Sequence, residues 1–240
     1  MRKGIYLLPN TLTLCGMFCG FYAILASYKG LYIYGAWAIL IATIFDMLDG
    51  WVARVTHSTT KFGIELDSLS DLIAFGIAPA VLIYSWGLQS FGRFGWGAAF
   101  IFVICGALRL ARFNVQMDSA ESRAFTGMPI PGAATVIASF VLFYNEVWGD
   151  LTGRNYVTLL LPFILAALMV STLRYHGIKE TDLKKRKPFW LLVAIVAAFV
   201  LIFMYPEIII FIFSIIYMLW GIIENAVIFR RKRRLRSPAQ

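Results

Sequence analysis

The sequence predicts an all-α integral membrane protein with about eight transmembrane helices. Three observations carry that prediction. Of 240 residues, 60% are hydrophobic and only 15% are charged, at a mean hydropathy of +0.75, which is more apolar than any soluble domain requires. Eight apolar segments, each near the roughly 20 residues that cross a bilayer as a helix, follow one another with short polar breaks. Of the 22 Lys and Arg residues, 19 fall in alternate connections, which places both termini on the cytoplasmic side. The net charge of +9 is thereby explained as topological anchoring, and no nucleic-acid partner is expected. There is no internal repeat and no low-complexity segment apart from a basic tail.

The segments justify themselves in order. The first, 11–28, follows a basic start and mimics a secretory signal. Its apolar run continues to Tyr28, however, and Pro9-Asn10-Thr11 reads as a helix start, so it is expected to be retained as a span. Cys15 and Cys19 on it, like Cys105 later, are expected to be small packing residues, since two thiols without His or further Cys make a poor metal site. Segments 33–53 and 66–88 flank a short polar stretch and carry four aspartates. Segment 95–115 ends in "GALRLARFNVQ", and 130–148 begins within "GMPIP", where two prolines fix the backbone. Segment 156–173 is followed by a basic loop containing "KKRK". Only "YPE" separates 189–205 from 207–229, which runs into "RRKRR".

The four aspartates are the anomaly. Asp46 and Asp49, at i,i+3, share one helix face, and Gly63, Asp67 and Asp71, at i, i+4, i+8, form a second stripe. A short connection makes the two helices antiparallel neighbours, so the stripes can face each other at the cytoplasmic membrane boundary. Four carboxylates in a poorly hydrated site cannot all stay ionised uncompensated. Protonation, pairing with Lys or Arg, or divalent cations would resolve this. Too few basic residues lie near in sequence for full pairing, and carboxylate oxygens suit hard cations, Mg²⁺ first, then Mn²⁺ or Ca²⁺. Gly50, Ala53 and Gly63 beside the acids leave room for a ligand larger than an ion. A cation transporter also carries intramembrane acids, but near the midplane, on interrupted helices in repeated halves; these four sit together at one face.

The stretch "DGWVARVTHSTTKFGIELDSLSD" reads Asp-Gly, two residues, Ala-Arg, eight residues, Gly, three residues, Asp, three residues, Asp. It resembles the signature of the CDP-alcohol phosphatidyltransferase family, with each fixed position filled by Asp49, Gly50, Ala53, Arg54, Gly63, Asp67 and Asp71, and with Asp46 as the additional upstream acid. The resemblance implies a six-helix core with its site at the cytoplasmic interface, in a homodimer. Residues 1–174 would form that core, 175–188 a basic cytoplasmic loop, 189–229 an added transmembrane hairpin and 230–240 a basic tail. It further implies that Asp46, Asp49, Asp67 and Asp71 gather two divalent ions, Mg²⁺ or Mn²⁺. Asp71 would act as general base, Gly50, Ala53 and Gly63 would accommodate the CDP-lipid, and Arg54 would contact phosphate. The reaction implied is transfer of a phosphatidyl group from a CDP-lipid to an alcohol, with loss of CMP, in phospholipid synthesis.

The acceptor is read from elsewhere. Ala111-Arg112-Phe113-Asn114 and Gly127-Met128-Pro129-Ile130-Pro131 are similar to runs in the serine-using branch of that family, with Met128 in place of the common Leu. Arg109 and Arg112, at i,i+3 on a helix end, suit a small carboxylate, which arginine holds in a fork, and Asn114 adds a hydrogen-bonding group. L-Serine with CDP-diacylglycerol is therefore the expected substrate pair. Glycerol 3-phosphate, inositol or inositol phosphate, and an archaeal ether-lipid donor, are the alternatives. The expected setting is a prokaryotic cell membrane with the site facing the cytoplasm.

Overall fold

A computed structural model describes residues 7–56, 58, 60–118, 127–149, 155–171, 173 and 204–236. These residues fold as α1 (Leu7–Tyr28), α2 (Tyr32–Val55), α3 (Lys61–Phe91), α4 (Arg93–Asp118), α5 (Ile130–Trp148), α6 (Tyr156–Val170) and α7 (Pro206–Arg236), with no strand among them. Six of the seven are long and apolar enough to cross a membrane, so the chain is an integral membrane all-α protein. The sixth expected span is the exception: α6 has 15 residues, about 22 Å of helix against a hydrocarbon core of roughly 30 Å. The seventh expected segment, 189–205, lies outside the described residues except for its last two positions. The eighth corresponds to α7, which continues through the basic run to Arg236.

Small residues set the helix spacing. Gly20 on α1 meets α3 so closely that an added Cβ would lie 2.5 Å from the Ala74 Cα. Ala23, Ala36 and Ala42 are fully buried where α1 and α2 run side by side. With lipid outside, close backbone approach supplies the packing that hydrophobicity alone cannot. Gly20→Ala is therefore expected to destabilise the protein by about 1–3 kcal/mol, read as a lower melting temperature in detergent. An unchanged melting temperature would show that α1 and α3 can part without cost.

Helix α3 is not a regular rod. It begins at Lys61, earlier than the apolar pattern suggests, because the Thr60 side chain accepts a hydrogen bond from the Gly63 N–H (3.0 Å) and caps it. It widens into π turns at Leu72–Ile77 and Tyr84–Leu88. The first precedes Pro79, whose missing N–H and bulky ring would disrupt an ordinary α turn.

The core centres on α5. Trp86 of α3 packs edge-on against Phe140 (5.7 Å) and Tyr144 (5.2 Å) at one end of the bundle. At the other end the lead-in to α5 is strapped to α6, with Gly127 N–H donating to the Leu173 carbonyl (2.8 Å) and Met128 N–H to that of Leu168 (3.0 Å). Gly127 has φ +85°, and an added Cβ would lie 2.2 Å from the Met169 carbonyl oxygen, so only glycine fits.

Candidate active site

The C-terminal turns of α2 and the N-terminal turns of α3 face each other at the strapped end of the bundle. The helical spacing read from the sequence brings Asp46, Asp49 and Asp67 together, with one carboxylate oxygen from each within 4.8 Å of the others. Asp71 lies one turn further along α3, against Asp46, and within electrostatic reach of Arg109 on α4. Asp46, Asp49, Asp67 and Asp71 all line one narrow recess.

Beside that recess opens a cavity of about 400 Å³, within the range of small-molecule sites. Asp49, Asp67 and Asp71 form its acidic wall, and Gly50, Ala53, Arg54 and Gly63 all contribute to its lining. The Arg54 guanidinium folds back over Gly50, where an added Cβ would lie 3.6 Å from Nη1. At Gly63 an added Cβ would approach Thr60 Oγ1 at 3.2 Å and Asn10 Oδ1 at 3.3 Å. Both glycines thus sit where side chains crowd the cavity.

The three residues assigned to the acceptor separate. Asn114 lines the cavity, and its Nδ2 donates to Ser68 Oγ (2.9 Å). Arg109 borders neither the recess nor the cavity, and its buried Nε makes no hydrogen bond among the described residues. Arg112 turns away: its Nη1 donates to the Val170 carbonyl at the C-terminus of α6 (3.4 Å) and it does not border the cavity. That geometry satisfies a terminal helix carbonyl.

Helix α1 adds residues that the sequence did not single out. Thr13, buried, donates from Oγ1 to Asp49 Oδ2 (2.7 Å), and Ser70 Oγ donates to the Thr13 carbonyl (3.0 Å). Asn10 and Thr13 both border the cavity. The only signal was a polar residue one turn into an apolar helix. Since Thr13 orients a buried carboxylate, Thr13→Val is expected to cut turnover about tenfold or more while the protein stays folded. Unchanged turnover would make the bond purely structural.

The carboxylate trio has the donor chemistry of a hard-cation site. Ligand atoms sharing one Mg²⁺ or Ca²⁺ at about 2.0–2.6 Å stand no more than about 4–5 Å apart, as these do.

The profile of the CDP-alcohol phosphatidyltransferase family matches residues 6–170, which include every candidate named above. The chain is 39% identical over 222 residues to the CDP-diacylglycerol–serine O-phosphatidyltransferase of Helicobacter pylori strain ATCC 700392 / 26695, covering 92% of this chain and 91% of that one. It is 39% identical over 172 residues to the archaetidylserine synthase of Methanothermobacter thermautotrophicus, covering 70% and 69%. With the CDP-diacylglycerol–serine O-phosphatidyltransferase of Bacillus subtilis it shares 37% identity over 145 residues, covering 58% and 78%.

Proposed function

Because this chain belongs to the CDP-alcohol phosphatidyltransferase family, we propose that it transfers the phosphatidyl group of CDP-diacylglycerol to the hydroxyl of L-serine, giving phosphatidylserine and CMP. The observation that carries this reading is the cavity walled by Asp49, Asp67 and Asp71, with Gly50, Ala53 and Arg54 beside them. The similarity to serine-using relatives supports the choice of acceptor.

The chain's residues divide the work. The cavity lies at one end of the helices, so the lipid tails stay in the bilayer while the nucleotide sits near water. Gly50, Ala53 and Gly63 leave room for the cytidine diphosphate, and Arg54 reaches its phosphates. The serine hydroxyl oxygen attacks the phosphorus that bears the diacylglycerol, and the P–O bond to CMP breaks with its electron pair leaving on CMP. Asp71 takes the hydroxyl proton, the contribution expected of a positioned carboxylate base. Asp46, Asp49, Asp67 and Asp71 are proposed to hold Mg²⁺ or Mn²⁺, two ions in all, which when bound neutralise the diphosphate charge. Thr13 fixes the Asp49 carboxylate for that purpose. Arg109 and Asn114 take the acceptor side, with Arg112 supporting them from the α6 terminus.

The placement of 19 of 22 basic residues supports a cytoplasmic site and cytoplasmic termini in a cell membrane, and a homodimer is proposed on the family resemblance. The test is CMP release by purified protein from CDP-diacylglycerol, comparing serine, glycerol 3-phosphate and inositol with Mg²⁺ or Mn²⁺. Release that depends on serine alone supports the reading. Release with a different alcohol would retain the reaction and discard serine, and release with none would discard the reaction.

A further inference from the structure

The α4 flank of the cavity stands apart from the aspartate motif of α2 and α3, yet a polar link joins it to that motif. Ser68 of α3 and Asn114 of α4 both line the cavity. Asn114 Nδ2 donates to Ser68 Oγ (2.9 Å), Ser68 Oγ donates to the Ile64 carbonyl (3.0 Å), and the same oxygen lies 3.3 Å from Asn114 Oδ1. A helical serine commonly bonds its own preceding turn and nothing else; this one also takes a hydrogen bond from a second helix. The seam between the two helices is fixed at another point as well. Gly76 and Gly106, each eight residues from Ser68 and Asn114 along its own helix, both face the buried Ile130 at the start of α5. Added Cβ atoms there would lie 3.7 and 2.6 Å from Ile130 Cδ1.

One N–H of the Asn114 amide is used on Ser68, which leaves its second N–H and the Oδ1 lone pairs for a ligand. Leu110 and Phe113 give the rest of the α4 flank no charge, and Arg54 on α2 is the one basic side chain among the described residues lining the cavity. A neutral donor and acceptor side by side suit a small zwitterion, whose carboxylate and ammonium each find a partner. A phosphorylated alcohol would bring its negative charges to a flank without a counter-ion, beside Asp67 and Asp71.

We propose that Ser68 is a positioning residue for the acceptor alcohol: its hydroxyl holds the Asn114 amide in the cavity wall, where the amide meets the charged groups of a zwitterionic amino acid within one helical turn of Asp71. This rests on the serine reading above and deepens it, since it names the pair of residues through which the acceptor is told from a phosphorylated alcohol.

The experiment is steady-state kinetics of the full-length protein in detergent–lipid micelles. Ser68→Ala is expected to raise the KM for serine about tenfold, the scale of one lost hydrogen bond. The KM for CDP-diacylglycerol and kcat should stay within about twofold. Alanine is the best helix former, so the variant should fold; Ser68→Cys, similar in size with a weak acceptor, reads the same rise if it does not. Ser68→Thr, which keeps the hydroxyl, should restore a serine KM within about threefold of the unaltered protein's. Asn114→Ala should itself raise the serine KM, and adding Ser68→Ala should then change it by less than about twofold, because Ser68 acts through the amide. An unchanged serine KM in Ser68→Ala, equal changes for both substrates, no rescue by threonine, or a full effect persisting in Asn114→Ala overturns the inference while the unaltered protein's serine dependence still stands. An unaltered protein that ignores serine removes the serine reading, and this inference with it.

Discussion

Asp71→Asn is expected to lower serine-dependent CMP release by at least about a hundredfold, the scale of a lost general base, with the protein still folded. The amide has the shape of the carboxylate but cannot take a proton from the acceptor hydroxyl. Its surroundings make the result decisive. Asp71 borders both the narrow recess and the cavity, against Asp46, so a substitution there acts directly on the site. Without metal the four carboxylates cannot all be ionised, so an amide at position 71 resembles a protonated aspartate in shape and in hydrogen bonding. The variant should therefore melt no lower than the unaltered protein in metal-free detergent, which separates a chemical defect from a folding one. Turnover within about tenfold of the unaltered protein would dismiss Asp71 as the base.

The second large effect is loss of the metal. Treatment with a chelator is expected to bring CMP release to background, and Mg²⁺ or Mn²⁺ should restore it. Asp49→Asn should raise the ion concentration needed by at least about tenfold, because Asp49 supplies one of three converging oxygens and is fixed by Thr13. A readout independent of turnover is available in thermal unfolding. An ion that binds only the folded protein stabilises it by about 2.7 kcal/mol at a hundredfold excess over its dissociation constant. The unaltered protein should show that upward shift and Asp49→Asn should not. Activity that survives exhaustive chelation would return the carboxylates to some other form of compensation.

The aspartate arrangement was legible because it depends on helical period alone: i,i+3 and i,i+4 spacings on two neighbouring antiparallel helices leave little freedom. The glycine and alanine positions followed from the same stripes. Thr13 was not legible, because its role depends on how α1 crosses α2 and α3, and a threonine in an apolar helix commonly bonds its own preceding turn, as Thr13 also does to Pro9. Arg112 shows the opposite failure. Its i,i+3 spacing from Arg109 suggested a shared target, but side chains three apart diverge when different neighbours flank the helix, and the short α6 ends where Arg112 can reach its last carbonyls. The π turns of α3 were hidden as well, since Pro79 announces a disturbance but not how the chain absorbs it.

The strap from Gly127 and Met128 to Leu168 and Leu173 bears on the order in which the protein is made. The carboxylates of α2 and α3, with their Thr13 and Ser70 supports, belong to the first 71 residues and can assemble once three helices have left the ribosome. The α5 lead-in, made later still, cannot be fastened until Leu168 and Leu173 at the end of α6 have been synthesised and inserted. The nascent enzyme thus builds its acidic wall early and fastens the strapped end of the bundle late, so a ribosome paused between the two would hold an inserted chain with its carboxylates gathered and its strap unmade.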